Sequence, residues 1–254
     1  MSNLTCGFDH AIVGVGDLEA ARLTWQRLGF TLCPRGKHIG WGTANYCIMF
    51  ADDYLELLGI VDASQFTNNL DRFLSQHGEG LLGMAFASSD IAALAEQLGG
   101  QPQDLKRLLE LPEGTVEPRF KLLHPPAGTL PGLSGFFCQH LTPQLMRQPE
   151  WLVHANGARR IAGMSVAVAD AAKAQAAYAR VFGAQFVDDK IDFIKADDAP
   201  KLSGLAIEVA DLAVTARFLA DAGIAFSQAS EGLSVSPQQA CGAVIRFVPG
   251  LVYA

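Results

Sequence analysis

Half of the 254 residues are hydrophobic, 18% are charged and the mean hydropathy is +0.20, a balance that buries a large core and excludes a disordered chain. A formal net charge of −7, with no basic run longer than Arg159-Arg160, argues against a nucleic-acid partner. The opening MSNLTCGFDH lacks a basic region ahead of an apolar core, no apolar run approaches the ~20 residues of a membrane span, and five scattered cysteines form no CxxC pair; a cytoplasmic protein with reduced, mostly buried thiols is expected.

Residues 8–15 alternate as a strand that places Phe8, His10, Ile12 and Gly14 on one face and Asp9, Ala11, Val13 and Val15 on the other. Asp17 is a helix N-cap, Leu18, Ala21, Trp25 and Leu28 recur at the spacing of one helical face, and Gly29 ends the helix. Residues 30–33, 46–50 and 54–60 read as three strands, giving a βαβββ unit. A helical connector over 61–80, striped by Phe66, Leu70, Phe73 and Leu74, leads to a second unit: a strand at 82–87, a helix capped by Asp90, and strands near 106–111, 116–123 and 135–140. The segment 142–160 carries prolines and breaks the pattern, so it is set as a linker between residues 1–141 and 161–254. Beyond it two more strand–helix pairs follow, the third with room for two further strands over 184–195 and the fourth for three over 224–248.

These units repeat one phrase. FDHAIVGVGD at 8–17 returns as LLGMAFASSD at 81–90, IAGMSVAVAD at 161–170 and LSGLAIEVAD at 202–211. Seven residues before the capping aspartate stand His10, Gly83, Gly163 and Gly204. One imidazole against three glycines is how a repeated scaffold acquires a single site. Glu56, in YLELLGI with Tyr54 and Leu58 on its own face, is either desolvated and paired or turned to a cavity.

A repeated βαβββ unit with His10 on its first strand and Glu56 on its last resembles the vicinal oxygen chelate superfamily, which includes glyoxalases, fosfomycin- and bleomycin-resistance proteins and extradiol dioxygenases. The strings FDHAIVGVGDLEAA, KHIGWGTANYCIMF, YLELLGIVD, FFCQH and HANGA are most similar to its glyoxalase-like members. The resemblance implies an α+β fold of tandem βαβββ modules paired into curved sheets, or cups, forming two glyoxalase-like domains, the second pared down and structural. It also implies a divalent metal (Zn, Mn, Fe or Ni) held by His10, by Glu56 and by a residue of the second unit's last strand, where the alignment leaves Cys138 and His140 open and His140 is favoured. Such a metal is a Lewis acid. His38 is a candidate general acid/base beside Glu56, and Trp41, Asn45, Tyr54 and Cys138 are candidate substrate contacts. His124 and His154 read as structural residues of loop and linker.

The expectation is a metal-dependent lyase- or isomerase-like enzyme acting on a small oxygen-rich metabolite, or an extradiol-type dioxygenase if the metal is ferrous iron. A non-catalytic, resistance-type binding protein is the alternative. Apolar sheet exteriors are compatible with a homodimer.

Overall fold

The computed structural model describes residues 4–197 and 199–250. The first copy of the repeat is β1 (Thr5–Val15), α1 (Leu18–Arg27), β2 (Gly36–His38), β3 (Thr43–Met49) and β4 (Tyr54–Ile60). A short helix, α2 (Leu70–His77), leads to β5 (Gly80–Ser88), α3 (Ile91–Leu98), β6 (Pro102–Leu111), the small β7 (Gly114–Val116), β8 (Arg119–Leu123) and β9 (Gly135–His140). The third copy is β10 (Ala158–Val168), α4 (Ala171–Phe182), α5 (Ala184–Lys190) and β11 (Ile191–Lys195). The fourth is β12 (Lys201–Val209), α6 (Leu212–Asp221), β13 (Phe226–Ala229), β14 (Gly232–Val235) and β15 (Ile245–Pro249). The chain is α+β.

Each aspartate that closes the repeated phrase caps the helix after it: Asp17, Asp90, Asp170 and Asp211 all accept backbone N–H groups of the first turn. Four expectations need correction. Residues 30–33 form no strand and the short β2 takes that place. His38, which falls between the strands expected at 30–33 and 46–50, is the last residue of β2 and is buried. The connector is helical only over Leu70–His77, because Asn68 and Asn69 adopt left-handed backbone and break it upstream. Residues 184–190 are a helix, leaving one strand where two were expected.

The first two copies build one nine-stranded sheet, ordered β2-β3-β4-β1-β5-β9-β8-β6-β7, and β2 also pairs with β6. That extra pairing, Gly36 with Leu109 and His38 with Arg107, curls the sheet into a closed wall. Copies three and four build an open six-stranded sheet, β11-β10-β12-β15-β14-β13. Alternating strand residues divide the interior. Ala11, Val13, Leu55 and Leu57 face the helices and share one core with Ile161, Val166 and Ile207 of the second sheet. Cys47, Tyr54, Phe120, Leu122 and Cys138 face inward and form a second cluster.

The stretch HANGA ties the halves together. His154 accepts from the Thr31 N–H at Nδ1 (3.1 Å) and donates from Nε2 to the Met49 carbonyl (2.9 Å). The amide of Asn156, wholly buried, donates to the Leu28 carbonyl and accepts from the Ala158 N–H. His154 is structural here. The buried Asp53 carboxylate accepts the Ile161 N–H (2.9 Å) across the same junction.

Candidate functional site

The interior of the closed sheet holds a cavity of about 440 Å³. Its floor depends on an irregularity in β1. Phe8 pairs with Phe86 and His10 with Ala85, so Asp9 is an extra residue on the β1 side of the ladder. In a regular strand adjacent side chains point to opposite faces, as the sequence alternation suggests; a bulge re-aims one of them. Asp9 and His10 therefore meet, with Oδ1 2.5 Å from Nδ1. The His10 ring stacks on Tyr54, its neighbour across the parallel β1–β4 pair, at 4.4 Å and 18°. Its Nε2 lies 3.4 Å from Glu56 Oε2. Asn45, reaching over from β3, donates to the other Glu56 oxygen.

His140 does not join Glu56. Its Nε2 lies 3.1 Å from Asp9 Oδ2, behind the His10 ring, and its Nδ1 is buried without a hydrogen-bond partner. Asp9, Cys138 and His140 bring one donor atom each within 4.8 Å of one another, a second grouping that could hold a cation. The strand register explains why His140 is displaced. Ile12 pairs with Glu56 in the first copy and Ala85 with Phe136 in the second, so Phe136 holds the place of Glu56, with Gly83 holding that of His10. A Cβ at Gly83 would collide with the Ser134 carbonyl oxygen, so glycine there answers to packing.

Burial pushes against charge at Asp9, Glu56 and His38 alike, and at the two carboxylates the partners outweigh it. Burial alone would raise Asp9, yet His140 and His10 hold its carboxyl well below the usual range. Burial likewise opposes Glu56, and His10, His38 and Arg107 with the Asn45 amide bring it below the ordinary value. For His38 burial wins over the attraction of Glu56 and lowers the imidazole, which favours its neutral form. Burial also pushes the Tyr54 hydroxyl and the Cys138 thiol far up, so both stay protonated.

His38, Trp41, Asn45, Tyr54, Glu56 and Cys138 all line this cavity with His10. Nδ1 of His38 is engaged by Thr43 Oγ1 at 2.9 Å. Trp41 stands at the mouth between His38 (5.3 Å) and Phe66 (5.1 Å), in a loop where Gly40 has φ +78° and a side chain at Gly42 would strike the Asp62 carbonyl. His124, expected to be structural, lines the cavity beside Phe136.

Asp9 and Arg107 were not singled out from the sequence. Arg107 left a signal, a lone charge sharing a strand face with Leu105 and Leu109. Asp9 left none, because a bulge cannot be read from alternation.

A model of the glyoxalase-like domain family matches residues 8–182. No curated protein matches the chain by sequence. Among solved structures the fold is similar to a hypothetical protein from Staphylococcus aureus, at 15% identity over 95% of this chain and 98% of that one, with a TM-score of 0.67. It is similar to a mutant 4-hydroxymandelate synthase from Streptomyces coelicolor, at 12% identity over 96% and 92% of the two chains and a TM-score of 0.59. A fusion of a xylose isomerase-like TIM barrel with 4-hydroxyphenylpyruvate dioxygenase matches all of this chain and 51% of its own length, at 14% identity and a TM-score of 0.53. At such identities the likeness is one of fold. Family match and tandem βαβββ sheets agree: the chain belongs to the glyoxalase-like domain family, within the vicinal oxygen chelate superfamily.

Proposed function

We propose that the protein is a metal-dependent enzyme, lyase- or isomerase-like, acting on a small oxygen-rich metabolite inside the closed N-terminal sheet. The observation that carries this is the pairing of His10 with Glu56. In the tautomer that donates from Nδ1 to Asp9, the lone pair of His10 Nε2 faces a carboxylate oxygen 3.4 Å away, longer than a good N–H···O bond. Two electron-rich atoms held that close in a dry site call for a cation between them, and a carboxylate behind the histidine is the usual support of a metal ligand. The residues thus fit a divalent metal with two protein donors, His10 and Glu56. When bound, such a metal supplies Lewis acidity toward a carbonyl or enediolate oxygen; ferrous iron would suit the dioxygenase variant instead.

The chain's own groups supply the rest. Asp9 fixes the tautomer and angle of His10, and Asn45 fixes the carboxylate of Glu56. His38, kept neutral by burial and engaged at Nδ1, offers Nε2 as the atom that takes a proton from carbon next to a carbonyl and returns it. Trp41 and Phe66 shield the mouth from water. In this reading residues 1–141 form the working domain, and residues 161–254, joined through 142–160, are a structural copy.

The non-catalytic alternative draws on Gly83 and Phe136, which leave the second copy with no donor at the matching positions. Metal analysis of protein purified without chelator separates the two readings. The enzyme reading expects close to one metal per chain, lost in the His10→Ala, Glu56→Ala double variant. Metal retained by that variant would move the site to Asp9, Cys138 and His140, and tight small-molecule uptake indifferent to chelation would favour the binding protein.

A further inference from the structure

Arg107 poses a separate question of charge. The residue is 3% exposed and lines the cavity, and its guanidinium packs over the Phe120 ring at 5.7 Å. Among the described residues its hydrogen-bond partners are two sulfur atoms, Cys47 Sγ (3.2 Å from Nη1) and Met146 Sδ (2.9 Å from Nη2), while Nε is buried with no partner. Sulfur is a weak acceptor, and a guanidinium presents five N–H groups that cannot be silenced by deprotonation. Burying such a cation on soft acceptors alone is costly. Where this fold wants a self-contained pair it provides one: Arg160 is held by Glu208 Oε2 at 2.7 and 2.5 Å. Glu56, the carboxylate whose charge acts on Arg107, is already engaged by His10 and Asn45. Room is also kept for the group, since a Cβ at Gly36 would sit 3.2 Å from Arg107 Nη1 and collide with the Asn45 amide.

We propose that Arg107 receives a carboxylate of the substrate, so that the cavity takes a small organic acid whose apolar body lies against Phe120, Phe136 and Trp41. This deepens the functional reading above by naming the substrate class, and it rests on that reading only for the claim that the bound acid is transformed. The incoming anion completes the charge that the protein leaves open, and the bidentate fork gives it one orientation relative to His10 and His38.

The test is calorimetric titration of the whole protein with phenylacetate and with its neutral isostere phenylacetamide, each with and without a chelator. The expected result is a preference of about tenfold or more for the carboxylate, present in both conditions, lost in Arg107→Met and partly kept in Arg107→Lys. Equal affinity for acid and amide, no binding of either at millimolar concentration, or an undiminished preference in Arg107→Met overturns the proposal. Should Arg107→Met fail to fold, the acid–amide comparison in the unaltered protein still decides. Discrimination that survives in a protein found to bind no metal would overturn the metal-dependent reading and leave this one standing.

Discussion

The two halves of the molecule carry the same phrase and the same backbone irregularity but differ in what their sheets enclose. In the first half the bulge lies between Phe8 and His10, in the second between Ile161 and Gly163. The position paired as Ile12 with Glu56 becomes Ser165 with Asp192 in the third copy and Ala206 with Arg246 in the fourth. There Arg246 reaches Asp192 at 3.9 Å and Glu231 at 2.7 Å, on an open sheet where the Asp192 side chain is 72% exposed. Exposed pairs of that kind are worth little. Closure of the first sheet through β2 and β6 is what removes water from Glu56, and with water gone the same sort of acidic position shares one cavity with a histidine and an arginine. Chemistry follows enclosure more than it follows the repeat.

The sharpest way to break this contrast is to exchange the key positions. Removing His10 and Glu56 together should lower metal affinity by about a thousandfold or more, read by metal content after dialysis, whereas Gly163→His, which sets an imidazole two residues along β10 from Ser165, the partner of the exposed Asp192, should create no stoichiometric site. A metal bound between residues 161 and 254 would sink the asymmetry. Next in size is Asp9→Asn, expected to weaken metal binding about 10- to 100-fold through loss of support for His10, with the fold retained by circular dichroism.

The repeated glycines give a graded test. A Cβ at Gly83 meets the Ser134 carbonyl, at Gly163 it lies 3.0 Å from the Lys190 carbonyl, and at Gly204 its nearest neighbour is at 3.6 Å. Alanine should therefore cost about 2–3 kcal/mol at Gly83, less at Gly163 and under about 1 kcal/mol at Gly204, measured by urea denaturation; equal costs would mean that the glycines are tolerated rather than required.

A further effect, smaller than that at Gly83, concerns the junction. Burial holds the Asp53 carboxyl up to about 7, against an ordinary value of 3.8. The folded protein then keeps a proton that the unfolded chain has lost, so across that window stability falls as pH rises, and the full penalty is present above pH 7. Asp53→Asn, which can still accept the Ile161 N–H, should flatten this dependence and add about 1–2 kcal/mol at pH 8. An unchanged slope between pH 5 and pH 8 would remove Asp53 as its source.

Local rules were legible wherever they involve neighbours in sequence. The four capping aspartates, the helical stripes and the repeat itself are written in short stretches, and the burial of Glu56 followed from its apolar companions on YLELLGI. The shift of β2 and the helix at 184–190 were not, because short segments take their state from what packs on them.

By itself, then, the amino-acid sequence determined an α+β chain of tandem βαβββ units in which the first copy alone has a histidine at the repeated glycine position. Only the tertiary structure decided which donors meet. A bulge turned Asp9 onto His10, the strand register put Phe136 in the place of Glu56 and left His140 against Asp9, and barrel closure brought Arg107 beside His38. The physical reason is that a strand's neighbours are set by ladder register and by where a sheet curls, and both are sums of weak pairings over residues far apart in the chain.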